Sequence, residues 1–558
     1  MPPVNVQVAL LFVLVGLAVV LVVRWVAERT GLPAAALLTV AGVGYAFLPG
    51  PNVVLDPEVV LTFVLPPLLY SAALDSSLTA IRRNLPTVVS LSVALVLATA
   101  LTIGIGFEWF VEGATLAVGI AVGAAVAPPD PVAALGVART VGLPVKLVTL
   151  IRGEGLLNDA TALTLLSVAV AAAAGGGFSA PAAVGQFVLA AAGGLLVGVV
   201  IAYGVRLLRR VARDPLTANA LSLATPFVAY LAAENVHVSG VLAVVVTGLI
   251  VGHDAPRFAS GESRLQTGAV WRLVDFLLEG FVFLLIGQQV PVILDGLRNY
   301  SVSVVVPALV ITVGVVLLLR PVWLVVTQSL PRSLHLQFGA GRVVDEGATV
   351  SRGSRWIADR LTGREVVALS WAGTRGVISL AAIFTLPTST DTGAPFPIRD
   401  LLVFCTLVAV LVTLLGQGLT FALVVRALGL RAGGTDQARV RNEAREASVH
   451  AALVRLDELK NEEPDCDLAS IASTRARLRA RAIRYQDRLD VLRDAHPDDV
   501  PASGGHESAL RVRRAAIDAQ RDELLRWRDA GRLPDESLRV LERELDHEER
   551  VVPDGPTR

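Results

Sequence analysis

Thirteen apolar stretches, all but the short ninth of membrane-crossing length, follow one another through the first 430 residues of this chain. A bilayer core about 30 Å thick takes about 20 helical residues to cross. A backbone inside it must satisfy its own polar groups, so only helices and closed barrels span it. The stretches are far longer than barrel strands, so they predict an all-α polytopic membrane protein. Their approximate limits are 5–26, 32–48, 58–76, 85–107, 114–137, 146–174, 184–205, 217–234, 238–252, 269–294, 301–329, 364–386 and 400–427. Residues 431–558 are charged and hold no comparable run. The expected organisation is a transmembrane domain over 1–430 and a hydrophilic, mainly helical tail over 431–558.

The loop charges test the count. With thirteen spans the termini lie on opposite sides of the membrane. If the tail is cytoplasmic, the inside loops and their edges hold Arg24, Arg29, Arg82, Arg83, Arg139, Lys146, Arg206, Arg209, Arg210, Arg213, Arg257, Arg264 and the arginines from Arg332 to Arg364. The outside loops hold only Arg298 and Arg399. That is the positive-inside bias, with the N-terminus outside. The N-terminus lacks a basic n-region and a small-residue cleavage site, and is read as a retained span. Net charge is zero, which gives no pointer to nucleic acid. Cys405 lies in a span and Cys466 in the tail, so a disulfide framework is not expected.

Two spans are broken. The fifth contains Ala127-Pro128-Pro129-Asp130-Pro131, and the twelfth contains Trp371-Ala372-Gly373-Thr374-Arg375-Gly376. Three prolines so close cannot sit in one continuous helix, because each removes a donor and clashes with the preceding turn. The two breaks are seven spans apart. They correspond if spans 1–6 repeat as spans 8–13, and an odd shift inverts the second copy. Paired broken helices at corresponding places point to a transporter's midplane site.

The sixth span carries Gly153-Glu154-Gly155-Leu156-Leu157-Asn158-Asp159-Ala160. An ionisable residue at mid-membrane costs about 2.5–3.5 kcal/mol on insertion scales, and such residues mark ion paths, proton relays or ion pairs. On a helix, Glu154 and Asn158 lie roughly 40° apart and share a face, whereas Asp159 stands roughly 140° from Glu154. The two acids therefore need not serve one ion. Glu154 requires a cation, and Arg320 in the eleventh span and Arg375 at the twelfth-span break are both candidates. A fixed ion pair is favoured over participation in cation release, since arginine does not deprotonate in proteins. Asp130 can cap the positive end of a half-helix, and Arg375 can offset a negative end. Asp159 is the carrier candidate: one carboxylate holds either a proton or a hard monovalent cation such as sodium. Arrival of one expels the other. Asn158 is neutral, so one carrier acid implies one-for-one, electroneutral exchange. Asp275 and Glu279 are read as pairing locally with Arg272.

At these residues the chain resembles the sodium/proton exchanger (NhaP-type) branch of the monovalent cation:proton antiporters. The matching pieces are Leu65-Pro66-Pro67-Leu68-Leu69, Pro129-Asp130-Pro131-Val132-Ala133, the Gly153–Ala160 run, His237-Val238-Ser239-Gly240, Arg320, and Gly373-Thr374-Arg375-Gly376. The resemblance implies thirteen spans with an inverted repeat, crossed broken helices 5 and 12, a homodimer, and an elevator-like shift of the core in the cell membrane of a bacterium. It implies that Asp159 binds the cation, that Asn158 supports it, that Asp130 lies at the crossing, and that Glu154 pairs with Arg320, leaving Arg375 to the crossing. Pro129 and Gly155 stand where relatives often carry hydroxyl residues, and Ser71 where many carry an acid. Backbone carbonyls near Ala127 and Pro128 are therefore expected to join the cation site. Sodium, lithium or potassium, exchanged for protons, are the expected cargo; no cofactor is expected. A passive channel is disfavoured, because channels repeat a filter around an axis. A membrane sensor is disfavoured because the tail shows no nucleotide-binding or kinase motif.

The tail places leucines at helical spacing, such as Leu453, Leu456 and Leu459. Two to four amphipathic helices are expected, with breaks at Gly504-Gly505 and from Gly531 through Pro534. The polar loop over 330–363 is read as a flexible surface segment.

Overall fold

In a computed structural model the described residues are 6–47, 57–176, 180–211, 214–258, 261–329, 361–390, 393–430, 434–462, 468–494 and scattered positions between 515 and 545. Most of the 330–363 loop and both expected tail breaks, at 504–505 and 531–534, lie outside them. The chain divides into two units, Met1–Leu430 and Arg431–Arg558.

The first unit is helical; beyond one isolated bridge between Ser389 and Pro395, the described residues form no sheet pairing. Besides two short helices at Leu78–Arg83 and Val290–Gly296, its helices are α1 (Val6–Thr30), α2 (Ala34–Ala46), α3 (Pro57–Leu74), α4 (Leu85–Phe110), α5 (Leu116–Val126), α6 (Pro131–Val141), α7 (Val145–Ala171), α8 (Ala180–Val211), α9 (Pro215–Asn235), α10 (Gly240–Phe258), α11 (Gly261–Gln288), α12 (Val302–Ser329), α13 (Gly363–Trp371), α14 (Val377–Phe384) and α15 (Arg399–Ala427). Among the described residues, eight helical stretches are long and apolar enough to cross a membrane, and two apolar helices are shorter. A helix, or a pair of half-helices, occupies each of the thirteen apolar stretches.

The prolines act as expected. Pro131 takes the first turn of α6, where its missing N–H costs nothing. Asp130 precedes it as N-cap, its carboxylate accepting from Val132 N at 2.9 Å. The fifth span is therefore two half-helices, α5 and α6. The twelfth is likewise divided into α13 and α14, with Ala372–Gly376 between them.

The half-helices pair off in two cores. Val122, Ala124 and Ala125 of α5 pack in one cluster with Leu380, Ala381 and Ile383 of α14. Ala134, Val137 and Ala138 of α6 pack in another with Val366, Ala368 and Leu369 of α13. The first half of each broken span thus shares a core with the second half of the other, which brings both breaks to one level. Three intact helices each contain a π-helical turn, at Val60–Val64 of α3, Ser90–Ala94 of α4 and Val412–Gly418 of α15. Such turns cluster at functional sites, and that of α15 meets the second break through Thr413.

The second unit contains α16 (Gly434–Glu462) and α17 (Leu468–Asp494). Gln486 donates to Glu446 at 2.8 Å, and Arg475 pairs with Asp457. As one number rises the other falls, so the two helices form an antiparallel hairpin. Val449, Ile471 and Leu489 are buried in this unit.

Candidate functional site

The two breaks are joined directly. Asp130 N donates to Thr374 O at 2.6 Å, and Thr374 Oγ1 donates to Asp130 O at 2.9 Å. Each break thereby satisfies polar groups that helix hydrogen bonding leaves open in the other.

The charges follow the helix ends. Asp130 caps α6, and its carboxylate also lies against Gly376, the residue before α14. One negative charge therefore stands at two positive helix starts. A Cβ at position 376 would overlap that carboxylate and stand 2.7 Å from Asp130 Cβ, so only glycine admits the approach. Arg375 serves the negative ends. Its Nε donates to Val126 O, the last residue of α5, at 2.7 Å, and its Nη1 donates to Gly373 O. Its backbone N donates to Thr413 Oγ1 at 2.9 Å, inside the π-helical turn of α15.

Glu154 and Arg320 form a bidentate pair: Nη1 donates to Oε1, and Nη2 to Oε2 at 2.9 Å. The side chains are 1% and 3% exposed, so the pair is desolvated. Arg320 Nε also donates to Leu369 O, near the end of α13, at 3.0 Å. Of the two cations left open for Glu154, the structure places Arg320 in contact. Ser92, in the π-helical turn of α4, donates to the carbonyl of Glu154 at 3.2 Å.

Asn158 is fully buried; its Nδ2 donates to Pro129 O at 2.9 Å, so α7 is tied to the first break. Its Oδ1 is buried and accepts no hydrogen bond among the described residues. Asp159 is buried beside it, and the charges of Asp159 and Asp130 interact. Ala127 and Pro128 lie in the same break, between α5 and Asp130. One locus thus combines a buried carboxylate, an unpartnered amide oxygen and an unwound backbone. These are hard oxygen donors suited to an alkali cation. No cluster of three or more His, Cys, Asp or Glu suited to a bound metal occurs among the described residues.

Ser92, Thr413 and the steric role of Gly376 were not singled out from the sequence. Thr413 and Ser92 carry no motif signal; their only mark is a hydroxyl in an apolar span. Asp275 is engaged by Ser71 of α3, whose Oγ donates to Oδ2 at 2.6 Å, a partner on another helix.

Comparison with known proteins places this geometry. The model of the family described as "Sodium/hydrogen exchanger, transmembrane" matches residues 17–427. The chain is a member of the sodium/hydrogen exchanger family. An uncharacterised Na(+)/H(+) exchanger of Mycobacterium tuberculosis is 33% identical over 506 residues, covering 89% of this chain and 88% of the relative. The sodium, potassium, lithium and rubidium/H(+) antiporter of Bacillus subtilis is 29% identical, covering 89% of this chain and 71% of the relative. The sodium proton antiporter MjNhaP1 of Methanocaldococcus jannaschii has a similar fold, with a TM-score of 0.57 at 20% identity over 76% of this chain and 99% of that one. The exchanger is thus a multi-pass membrane protein that antiports monovalent cations against protons, a secondary transporter and not an enzyme.

Proposed function

We propose that the exchanger moves a cytoplasmic sodium ion outward and an external proton inward, one for one, by competition at Asp159 under alternating access. The observation that carries this is the buried Asn158 Oδ1, which accepts no hydrogen bond among the described residues and stands next to the buried Asp159. A buried acceptor without a donor is costly, and a cation held by Asp159 removes that cost. Backbone carbonyls of Ala127 and Pro128 complete the oxygen set.

Asp130, Arg375 and the Glu154–Arg320 pair support the site without carrying the ion. Asp130 and Arg375 compensate helix ends, and Glu154 is occupied by Arg320. That leaves one carboxylate to alternate between proton and cation, hence the unit stoichiometry. The thirteen-span inverted repeat, the outside N-terminus with a cytoplasmic tail, the residence in a bacterial cell membrane and the homodimer belong to the same reading. They draw support from the arginine bias of the loops and from the family.

Potassium or lithium exchange is the second reading. Pro129 and Gly155 supply no hydroxyl ligands, and the Bacillus relative is named for four alkali cations. The test is reconstitution in liposomes with a trapped pH dye and additions of sodium, lithium or potassium. Wild type should move protons on cation addition and Asp159→Asn should not. An imposed membrane potential should leave the wild-type rate unchanged. Exchange that persists in Asp159→Asn, or that follows the potential, overturns the proposal.

A further inference from the structure

The ends of α8 and α10, cytoplasmic in the orientation proposed above, enclose a pocket that the competition at Asp159 does not use. It measures about 300 Å³, counting its open mouth. Ala202, Arg206 and Arg209 form its α8 wall, and Asp254 and Ala255 stand opposite on α10. The three α8 residues recur at helical spacing, so they share one face of that helix.

The two arginines meet different surroundings. Arg206 reaches across the groove to Asp254, Nη1 to Oδ2 at 3.3 Å. Arg209 makes no hydrogen bond or ion pair among the described residues, and its Nε is buried. A charged donor withdrawn from water without an acceptor carries a desolvation cost. Arg209 lines the pocket, so an acceptor that enters meets its guanidinium.

The setting selects that acceptor. Residues 180–205 carry no charge and make about 39 Å of helix, more than the hydrocarbon core of about 30 Å. Arg206 and Arg209 follow them and so stand at headgroup level. Leu196, Val200, Tyr203 and Leu207 are exposed. Steps of four, three and four put them in one apolar stripe of α8, beside the row of Ala202, Arg206 and Arg209. An apolar stripe that ends at a basic pocket matches an acyl chain that ends in a phosphate. Basic pockets between membrane helices at the cytoplasmic face take anionic headgroups.

We propose that this pocket binds the phosphate of an anionic phospholipid of the cytoplasmic leaflet, with Arg209 as its donor and an acyl chain along the α8 stripe. The phosphate supplies the acceptor that Arg209 lacks and holds the ends of α8 and α10 together.

The experiment uses the full chain in detergent micelles, titrated with phosphatidylglycerol, phosphatidylcholine or inorganic phosphate. Bound lipid is counted by native mass spectrometry, and the unfolding temperature is recorded. The variants are Arg209→Gln, Arg209→Lys, Ala255→Leu and, as a control, Arg82→Gln, which removes an exposed arginine at the same membrane face. Wild type should prefer phosphatidylglycerol to phosphatidylcholine and unfold at a higher temperature with it. Arg209→Gln should weaken that binding about tenfold or more, because a charge-assisted hydrogen bond is lost. Arg209→Lys keeps the charge without the planar fork and should fall between. Arg82→Gln should bind as wild type does. Equal binding of the two lipids, or an Arg209→Gln no weaker than wild type or than Arg82→Gln, overturns the inference. Inorganic phosphate should not displace the lipid; displacement makes this a free-anion site and overturns the lipid assignment. Should Arg209→Gln fail to fold, Ala255→Leu decides, since it fills the pocket and keeps both arginines: unchanged phosphatidylglycerol binding there overturns the proposal. None of these readouts requires transport, so a failure of the exchange reading is distinguishable from a failure here.

Discussion

Neutralising Glu154 while Arg320 stays in place should destabilise the membrane unit far more than removing both charges together. The guanidinium gives three hydrogen bonds, two to Glu154 and one to Leu369 O. With the two side chains only 1% and 3% exposed, water cannot replace a missing partner. Breaking such a pair from one side typically costs about 3–5 kcal/mol. Glu154→Gln belongs at the upper end, because Arg375 lies within the field of both Glu154 and Arg320 and two arginines would then face each other uncompensated. Arg320→Met belongs near the lower end, since the stranded carboxyl can take up a proton. The double variant Glu154→Leu with Arg320→Met removes both charges and should cost less than either single change. The assay is unfolding in mixed micelles titrated with a denaturing detergent, read as a free energy for each member of the cycle. Each single should shift the unfolding constant by about two to four orders of magnitude. Single variants within about 1 kcal/mol of wild type, or a double variant equal to the sum of the singles, would refute the reasoning.

Gly376→Ala should lose about 1–3 kcal/mol or more and most exchange, because the new methyl overlaps the Asp130 carboxylate. Gly136→Ala, exposed on α6 with open space beside it, should be neutral or stabilising by up to about 1 kcal/mol, and the same micelle titration compares them. In the tail, Ile471→Ala should cost about 2–5 kcal/mol of hairpin stability, read as amide exchange over 434–494 in the full chain. Asp457→Ala, which removes an exposed partner of Arg475, should cost less than about 1 kcal/mol; equal effects would contradict a hairpin held by its apolar face.

Much of this molecule is legible before folding. Bilayer thickness fixes span length, so the helices fall on the apolar stretches. The prolines at 128, 129 and 131 can only interrupt a helix, and the acids of the Gly153–Ala160 run are conspicuous because hydrocarbon penalises charge. What escapes is set by tertiary fit. Helical phase could place Glu154 and Asp159 on different faces, but the choice between Arg320 and Arg375 needed the α7–α12 distance. The π-helical turns that present Ser92 and Thr413 have no signature in the local sequence. The closeness of Gly376 to Asp130 arises between residues far apart in the chain. The contact of Asp275 with Ser71 likewise joins residues 204 positions apart, which no local pattern announces.

The reciprocal bonds between Asp130 and Thr374 have a consequence for biosynthesis. Their partners are 244 residues apart, so the first break leaves the ribosome long before the second exists. At about 5–20 residues per second, that interval is roughly 12–50 s. Throughout it, the nascent fifth span holds an interrupted backbone in or beside the bilayer with no mate. Either water, lipid headgroups or the insertion machinery must shelter it meanwhile, and a message truncated before residue 374 should yield a product cleared by membrane quality control.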